Sequence, residues 1–455
     1  MPSRRQFVTA AGAALAALAG CSDDGDPGTE RPTTEPPTTG PATDTPGETR
    51  TEPEATERDS LLAWLPTWTL DIDLGNALSL RVADGDLYAT LSDDASRSAV
   101  AAVDRAGDGF RWRAALDGDV VASSYLTQTN ARDKWALTVT EDTLYVVAGN
   151  TDDYAWTALH ALERESGDIR WSLRRERELA VAGVRDGTVV AGARDFFVPE
   201  STHDTPEEPL STALLGVDAA TGEVRWSQSF AGVQAATTYA GGVAVGQYDT
   251  VTGLDVDGAE RWSTATDEPR EIVPLADAAV VAAADDDRST LRAFAPDGTE
   301  RWRDTRPVES FLADGDTLYG LGDETVAYDA DGTVRWRVSG YSDWPLLAPD
   351  GETLYARAAV RANAVDAFDV PGGGRRFRWA TPSNNGWPAG ATDTMAVAEA
   401  ITPDEADFTS LYAVDDRSGE PIAVYRPEDT VFDVAGAEGT AYAAVGGRLL
   451  AFGHP

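Results

Sequence analysis

Leu215-Gly216-Val217-Asp218, Ala219-Ala220-Thr221-Gly222 and Glu223-Val224-Arg225-Trp226 form one continuous stretch. A short apolar run leads into a turn of small residues ending in glycine, and a second extended run closes on Arg-Trp. Asp and Gly tolerate the backbone angles of tight turns, so the stretch reads as a hairpin. Similar text runs from Leu159 to Trp171, from Leu291 to Trp302 and from Val326 to Trp336. The dipeptide Arg-Trp places Trp112, Trp171, Trp226, Trp262, Trp302, Trp336 and Trp379, so seven of the thirteen tryptophans follow an arginine. An eighth copy, from Leu411 to Tyr425, keeps Ala413, Asp415 and Gly419. It has Ala423 where the others have tryptophan, which predicts a weaker contact there.

Upstream of each copy sits a second hairpin, as in Asp84-Gly85-Asp86-Leu87-Tyr88, Asp314-Gly315-Asp316-Thr317-Leu318-Tyr319 and Asp350-Gly351-Glu352-Thr353-Leu354-Tyr355. Turn chemistry accounts for these Asp-Gly pairs better than cation binding does. Four short strands per repeat and no helical period make the body all-β. From Trp112 to Tyr425 run seven intervals of about 45 residues each, the length of a four-stranded β-propeller blade. Residues 61–73 hold Trp68 in a strand-like stretch with no hairpin before it. The C-terminus ends on three strands, around 431–434, 440–445 and 448–452, without a fourth. Pairing the first strand with these three would close the last blade and hide two sheet edges. The literal count is eight in-line blades and one split blade.

The pattern Ala-x-Asp-x-x-x-Gly-x-x-x-Trp resembles the repeat of PQQ-type β-propellers, a superfamily that includes quinoprotein dehydrogenases and the outer-membrane assembly factor BamB. The resemblance spans most of residues 61–455, and it usually implies eight blades. It also implies that Trp112, Trp171, Trp226, Trp262, Trp302, Trp336 and Trp379 dock from the outer strand of one blade against the next. They are then structural staples and not a substrate-binding ladder.

Ahead of the repeats, Arg4 and Arg5 precede an apolar run from Ala10 to Gly20, a pattern that resembles a Tat export signal. The run is too short for the ~20 residues of a spanning helix. It ends in Leu18-Ala19-Gly20-Cys21, similar to a lipobox, and Cys21 is the only cysteine of the chain. Residues 1–20 are therefore expected to be a Tat-type lipoprotein signal peptide, and Cys21 the lipidation site. Residues 21–60, rich in Thr, Pro and acids, are expected to form a disordered tether. The expected location is the outer side of the cytoplasmic membrane, reached by Tat export and held by the lipid.

Charge narrows the partners. The chain has 77 acidic and 37 basic residues, a net charge of −40, and Lys134 is its only lysine. Nucleic acid would be repelled, and a polybasic grip on anionic lipid is excluded. Acid-rich, lysine-poor composition resembles that of haloarchaeal proteins, where strong salt screens the repulsion. One cysteine and three histidines exclude a disulfide framework and Cys-based zinc sites, and leave little for His-rich metal chemistry.

Loop lengths single out one face. The turns inside each hairpin are short, whereas the long connections, 193–212, 400–409, 117–134, 339–345 and 381–390, join second to third strands or one blade to the next. In an up-and-down blade both kinds emerge at the same end, which is therefore the candidate binding face. Asp343-Trp344-Pro345 and Gly386-Trp387-Pro388 occupy matching positions there, with Tyr341, Asn384 and Asn385 close in sequence. His203 lies in the first of the long connections. The plainer reading of each Trp-Pro is a local cap on an inner strand, and Asp285-Asp286-Asp287 reads as a solvated loop.

No catalytic residue is assigned. His160, His203 and His454 lack a Gly-x-Ser-x-Gly elbow, and neither a phosphate loop nor zinc spacing is present. The reading is a membrane-anchored, non-catalytic binding or scaffold propeller for a protein or polymer, with no cofactor and no metal. One alternative is a PQQ-dependent oxidoreductase, which would need PQQ with calcium. The other is an extracellular carbohydrate-binding or lyase-type propeller.

Overall fold

The two-fold alternation of the repeats becomes strand after strand, and among the described residues there is no helix. The computed structural model describes residues 61–73, 75–93, 97–121, 137–150, 155–195, 211–285, 288–358, 364–382, 386–401 and 409–455. The signal, Cys21 and the tether lie outside them, as do Lys134, His203, Asn384 and Asn385.

The strands form nine sheets. Blades 1 to 8 follow one another along the chain, at residues 76–117, 119–175, 178–231, 235–265, 269–308, 310–339, 342–380 and 386–425. Blade 9 takes Val431–Ala437, Thr440–Val445 and Arg448–Gly453 from the C-terminus and Trp68–Asp71 from the N-terminus. Trp68 stands opposite Ala451, and Asp71 opposite Arg448, in antiparallel register. The literal count of eight in-line blades and one split blade is thus the architecture, one blade more than the family resemblance usually implies.

Packing follows from the ring. Middle strands such as Thr143–Asn150 are almost wholly buried because a neighbouring blade covers each face. Outer strands such as Val224–Ala231 alternate exposed and covered residues. Each of nine apolar clusters lies between two adjacent blades. One of them joins blade 9 to blade 1 through Tyr442, Leu449, Leu87 and Leu91, which closes the circle.

Tryptophans seat these interfaces. The Nε1 of Trp112, Trp171, Trp226, Trp302 and Trp336 donates to the carbonyl of Arg164, Ala219, Val256, Ala330 and Val370, each on the next blade. Trp68 does the same from blade 9, donating to Arg105 at 3.0 Å. The indole of Trp171 lies on Gly222, where φ is +74° and a Cβ would come within 2.7 Å of the ring. Only glycine meets both conditions without strain. Trp262 lies on Gly298 in the same way, but its Nε1 donates to Tyr239 within its own blade at 3.3 Å.

Trp379 also docks on the next blade, but not on its turn glycine. In blade 7 the residue opposite Ala367 is Phe377, and it is Phe377 that lies on Gly419 of blade 8. The spacing Ala367, Asp369, Gly373, Phe377 follows the repeat, whereas Trp379 comes two residues later. Trp379 points the same way and packs on Tyr412, with ring centroids 5.3 Å apart.

Blade 8, which lacks a docked indole at Ala423, gains a fifth strand. Leu62–Ala63 pairs in parallel with Pro421–Tyr425, placing Leu62 opposite Ala423. Trp64 follows and is buried between blades 8 and 9, donating its Nε1 to Gly453 at 3.0 Å. Its ring centroid is 4.5 Å from that of Phe452.

Candidate functional site

The two ends of the ring differ in chemistry. At the short-turn end, aspartates cap their own turns: Asp218 Oδ1 accepts from the amides of Ala220 and Thr221, and Asp415 Oδ1 from those of Arg417 and Ser418. The arginine before each docked ring pairs with an acid of a nearby turn, as in Arg225 with Asp218, Arg261 with Asp255 and Arg376 with Asp369. That accounts for the recurring Arg-Trp. These carboxylates are committed to turns, and exposed pairs of this kind contribute little to stability individually.

At the long-loop end, blades 7 and 8 bring the two Trp-Pro motifs together. Trp344 and Trp387 stand with ring centroids 6.0 Å apart and planes tilted by 49°. Both are half-buried. Trp344 lies in a β-bulge, where the register skips between Asp343 and Leu346, and its φ is +53°. A bulky side chain in that left-handed conformation costs about 1–3 kcal/mol and persists only where its surroundings impose it. Arg357, opposite Asp343 on the second strand, holds that carboxylate at both oxygens, with Nε to Oδ1 at 2.7 Å. Its guanidinium also lies 4.9 Å from the Trp344 ring centroid, a cation–π contact. On blade 8, Trp387 donates its Nε1 to Glu399 at 3.1 Å, and Glu399 is buried.

Tyr341 sits just before this strand, half-buried. Burial, then the charges of Glu309 and Asp343, push its hydroxyl up to about 12. The Asp343 hydrogen bond raises the Arg357 guanidinium above its ordinary value.

The structure therefore brings Trp344 and Trp387 into one cluster and sets Tyr341 within the field of Asp343. His203, Asn384 and Asn385, expected on the same face, lie outside the described residues. Arg357 and Glu399 were not singled out from sequence. Their signal was faint: a charged residue at the end of an otherwise apolar second strand.

Below Trp344 the inner strands line a cavity of about 240 Å³ in the ring. Pro345, Leu346, Pro388, Val82 and Val434 give its wall an apolar part, polar groups make up about as much of it, and Arg81 and Asp433 are the charged residues. Bulges recur in inner strands around it, at Ala77/Ser79, Pro388/Gly390 and Val431/Asp433 as well as in blade 7.

A PQQ–calcium centre needs a flat pocket, a carboxylate base and acidic and amide cation ligands. The described residues do not fit that group. Asp433 accepts from the amide of Leu80 at 2.8 Å with one oxygen and from that of Val434 at 2.9 Å with the other, so it serves the junction of blades 9 and 1. Among the described residues no three His, Cys, Asp or Glu side chains come together as a cation site. The cavity is also smaller than the ~300–1,000 Å³ of ordinary ligand pockets.

Comparison with known proteins places the chain among its relatives. A family model described as outer membrane protein assembly factor BamB matches residues 66–240 and 212–320, more than half of the chain. A search of curated proteins finds no match. Among solved structures, BamB from Moraxella catarrhalis is 15% identical, with 70% of this chain and 96% of that chain covered and a TM-score of 0.45. Sqt1 from Saccharomyces cerevisiae is 11% identical, with 87% and 100% covered and a TM-score of 0.46. The quinohemoprotein alcohol dehydrogenase of Comamonas testosteroni is 13% identical, with 89% and 78% covered and a TM-score of 0.45.

Proposed function

This chain belongs to the family described as outer membrane protein assembly factor BamB, and from that premise we propose that it is a non-catalytic binding or scaffold propeller. On this reading it is exported by Tat, anchored outside the cytoplasmic membrane through a lipid on Cys21, and holds a protein or polymer partner on its long-loop end.

One observation carries the reading: two half-buried tryptophans and an ion pair come together at the long-loop end of the ring. There Trp344 and Trp387 stand 6.0 Å apart, half-buried, with Trp344 on a strained bulge beside the Asp343–Arg357 pair. Half-buried tryptophan on a rigid scaffold is the residue type that dominates binding hot spots. Within the cluster the Arg357 guanidinium is paired with the Asp343 carboxylate, so what the described residues present is aromatic surface beside a neutralised ion pair.

The test is partner recovery from the protein's own membranes at high salt, with wild type beside a Trp344→Ala/Trp387→Ala double variant of unchanged melting temperature. The reading predicts that a partner recovered with wild type is lost with the variant. Equal recovery with both would overturn it.

A further inference from the structure

The outer strand of each blade is a sheet edge, and an open edge pairs with an extended chain unless charge or cover prevents it. Both protections are used around this ring. The outer strands of blades 1, 2, 4, 5, 6 and 7 carry two to five charged residues each. That of blade 9 is four residues long and ends in Asp71. That of blade 8, Pro421–Tyr425, carries no charge, and Leu62–Ala63 covers it. Blade 3 has neither protection. Its outer strand, Val224–Ala231, is eight residues long and uncharged from Trp226 onward. Among the described residues no strand pairs with its outer side. Gln247 donates its Nε2 to the carbonyl of Ala231 at 3.3 Å, at the very end of the strand.

The sequence of this edge suits a copy of itself. Antiparallel pairing about a two-fold axis perpendicular to the sheet keeps each face of the strand on its own side, so residues that face alike meet. Centred on Gln228, that register sets Ser227 opposite Ser229, Trp226 opposite Phe230 and Arg225 opposite Ala231. No like charges are opposed, ring meets ring, and the exposed serines are small. Gln228 itself has a buried Oε1 with no hydrogen-bond partner among the described residues. In this register the facing Gln228 amide supplies an N–H donor beside it. The one cation of the strand, Arg225, is already paired with Asp218, and the exposed Glu223 precedes the paired residues. Repulsion between two chains of −40 is screened within ~3 Å in concentrated salt.

We propose that a second copy of this chain pairs through the outer strand of blade 3, joining two four-stranded sheets into one continuous sheet across a two-fold axis. The surface lies on the rim of the ring and is independent of the long-loop end. An uncharged extended segment of another protein on the same edge is the rival outcome.

The test is disulfide trapping of the full chain in its own membranes at about 2 M potassium chloride. Opposed residues of an antiparallel pair have Cα atoms about 4.5–5.5 Å apart, within disulfide range. Gln228→Cys should therefore convert most of the protein to a disulfide-linked dimer on mild oxidation. Thr264→Cys, at the matching position on the charged outer strand of blade 4, should stay at the background of the wild type, whose only cysteine is Cys21. Adding the exposed change Ser229→Arg to Gln228→Cys should abolish the dimer with an unchanged melting temperature. A Gln228→Cys dimer yield no greater than that of Thr264→Cys, or a dimer that survives Ser229→Arg, would overturn the proposal. Mass spectrometry that finds Gln228→Cys joined to a different protein would overturn it in favour of a foreign strand. None of these results bears on partner recovery by the long-loop end.

Discussion

Leu62 stands in parallel register opposite Ala423, and that pairing delivers Trp64 to the junction of blades 8 and 9. Six other junctions are seated by a tryptophan of the preceding blade whose Nε1 donates to a carbonyl of the next blade. At this one the outer strand has alanine, and the indole comes from the far end of the chain. The eleven residues 61–71 thus add a strand to one blade and complete another.

Trp64→Ala should therefore destabilise the ring by about 3–5 kcal/mol, as expected for a buried aromatic that cannot be replaced by local collapse. Denaturant unfolding at high salt measures it. A loss below about 1 kcal/mol would mean that Trp68–Asp71 closes the ring unaided.

Trp171 and Gly222 form one contact, so their losses should not add. Gly222→Ala forces a Cβ toward the indole at a positive φ, and Trp171→Ala removes the indole. The double variant should be more stable than the sum of the single losses predicts, by on the order of 1 kcal/mol, in a double-mutant cycle. Strict additivity would argue against docking on the glycine.

His160 gives a pH dependence. Burial lowers its pKa, its Nδ1 lies 2.8 Å from Ser172 Oγ, and its buried Nε2 has no hydrogen-bond partner among the described residues. The unfolded chain takes the proton at the ordinary value near 6.5, and the folded chain only at lower pH. Its contribution is therefore complete above about pH 6.5 and declines as pH falls toward the depressed folded value. Melting temperatures between about pH 8 and 5.5 should fall more steeply for wild type than for His160→Gln. Parallel curves would contradict this.

Salt should be required for folding. With a net charge of −40, dilution from above ~1 M to ~0.1 M lengthens the screening distance from about 3 to about 10 Å and lets the acids repel one another. The melting temperature should fall sharply over that range. A constant value would remove the halophilic reading of the composition.

How much of this could be read beforehand varies by element. Repeat length, turn glycines and Arg-Trp specify the blades, because each is a local requirement repeated along the chain. The split blade was readable from Trp68 and the orphaned C-terminal strands. Trp64 was not, since its role depends on contact with Phe452, which lies almost the whole chain away. Trp379 does pack on the next blade, through Tyr412, but the repeat spacing and the turn glycine belong to Phe377, which the Arg-Trp dipeptide alone does not reveal. At the candidate site the matching Trp-Pro motifs were visible, but the approach of Trp344 to Trp387 depends on two adjacent bulges that nothing in the local sequence announces. Arg357 and Glu399 become meaningful only once strand register sets them beside the indoles.

The most direct test of the account is site-directed crosslinking from the two ends of the ring. Asp323→Cys places a thiol on the exposed long-loop end of blade 6, and Asp257→Cys places one on an exposed short turn of blade 4. Treated with a thiol-specific crosslinker in native membranes at high salt, the first should yield a discrete adduct and the second none. Equal adducts from both ends, or one from Asp257→Cys alone, would contradict the assignment of the binding face.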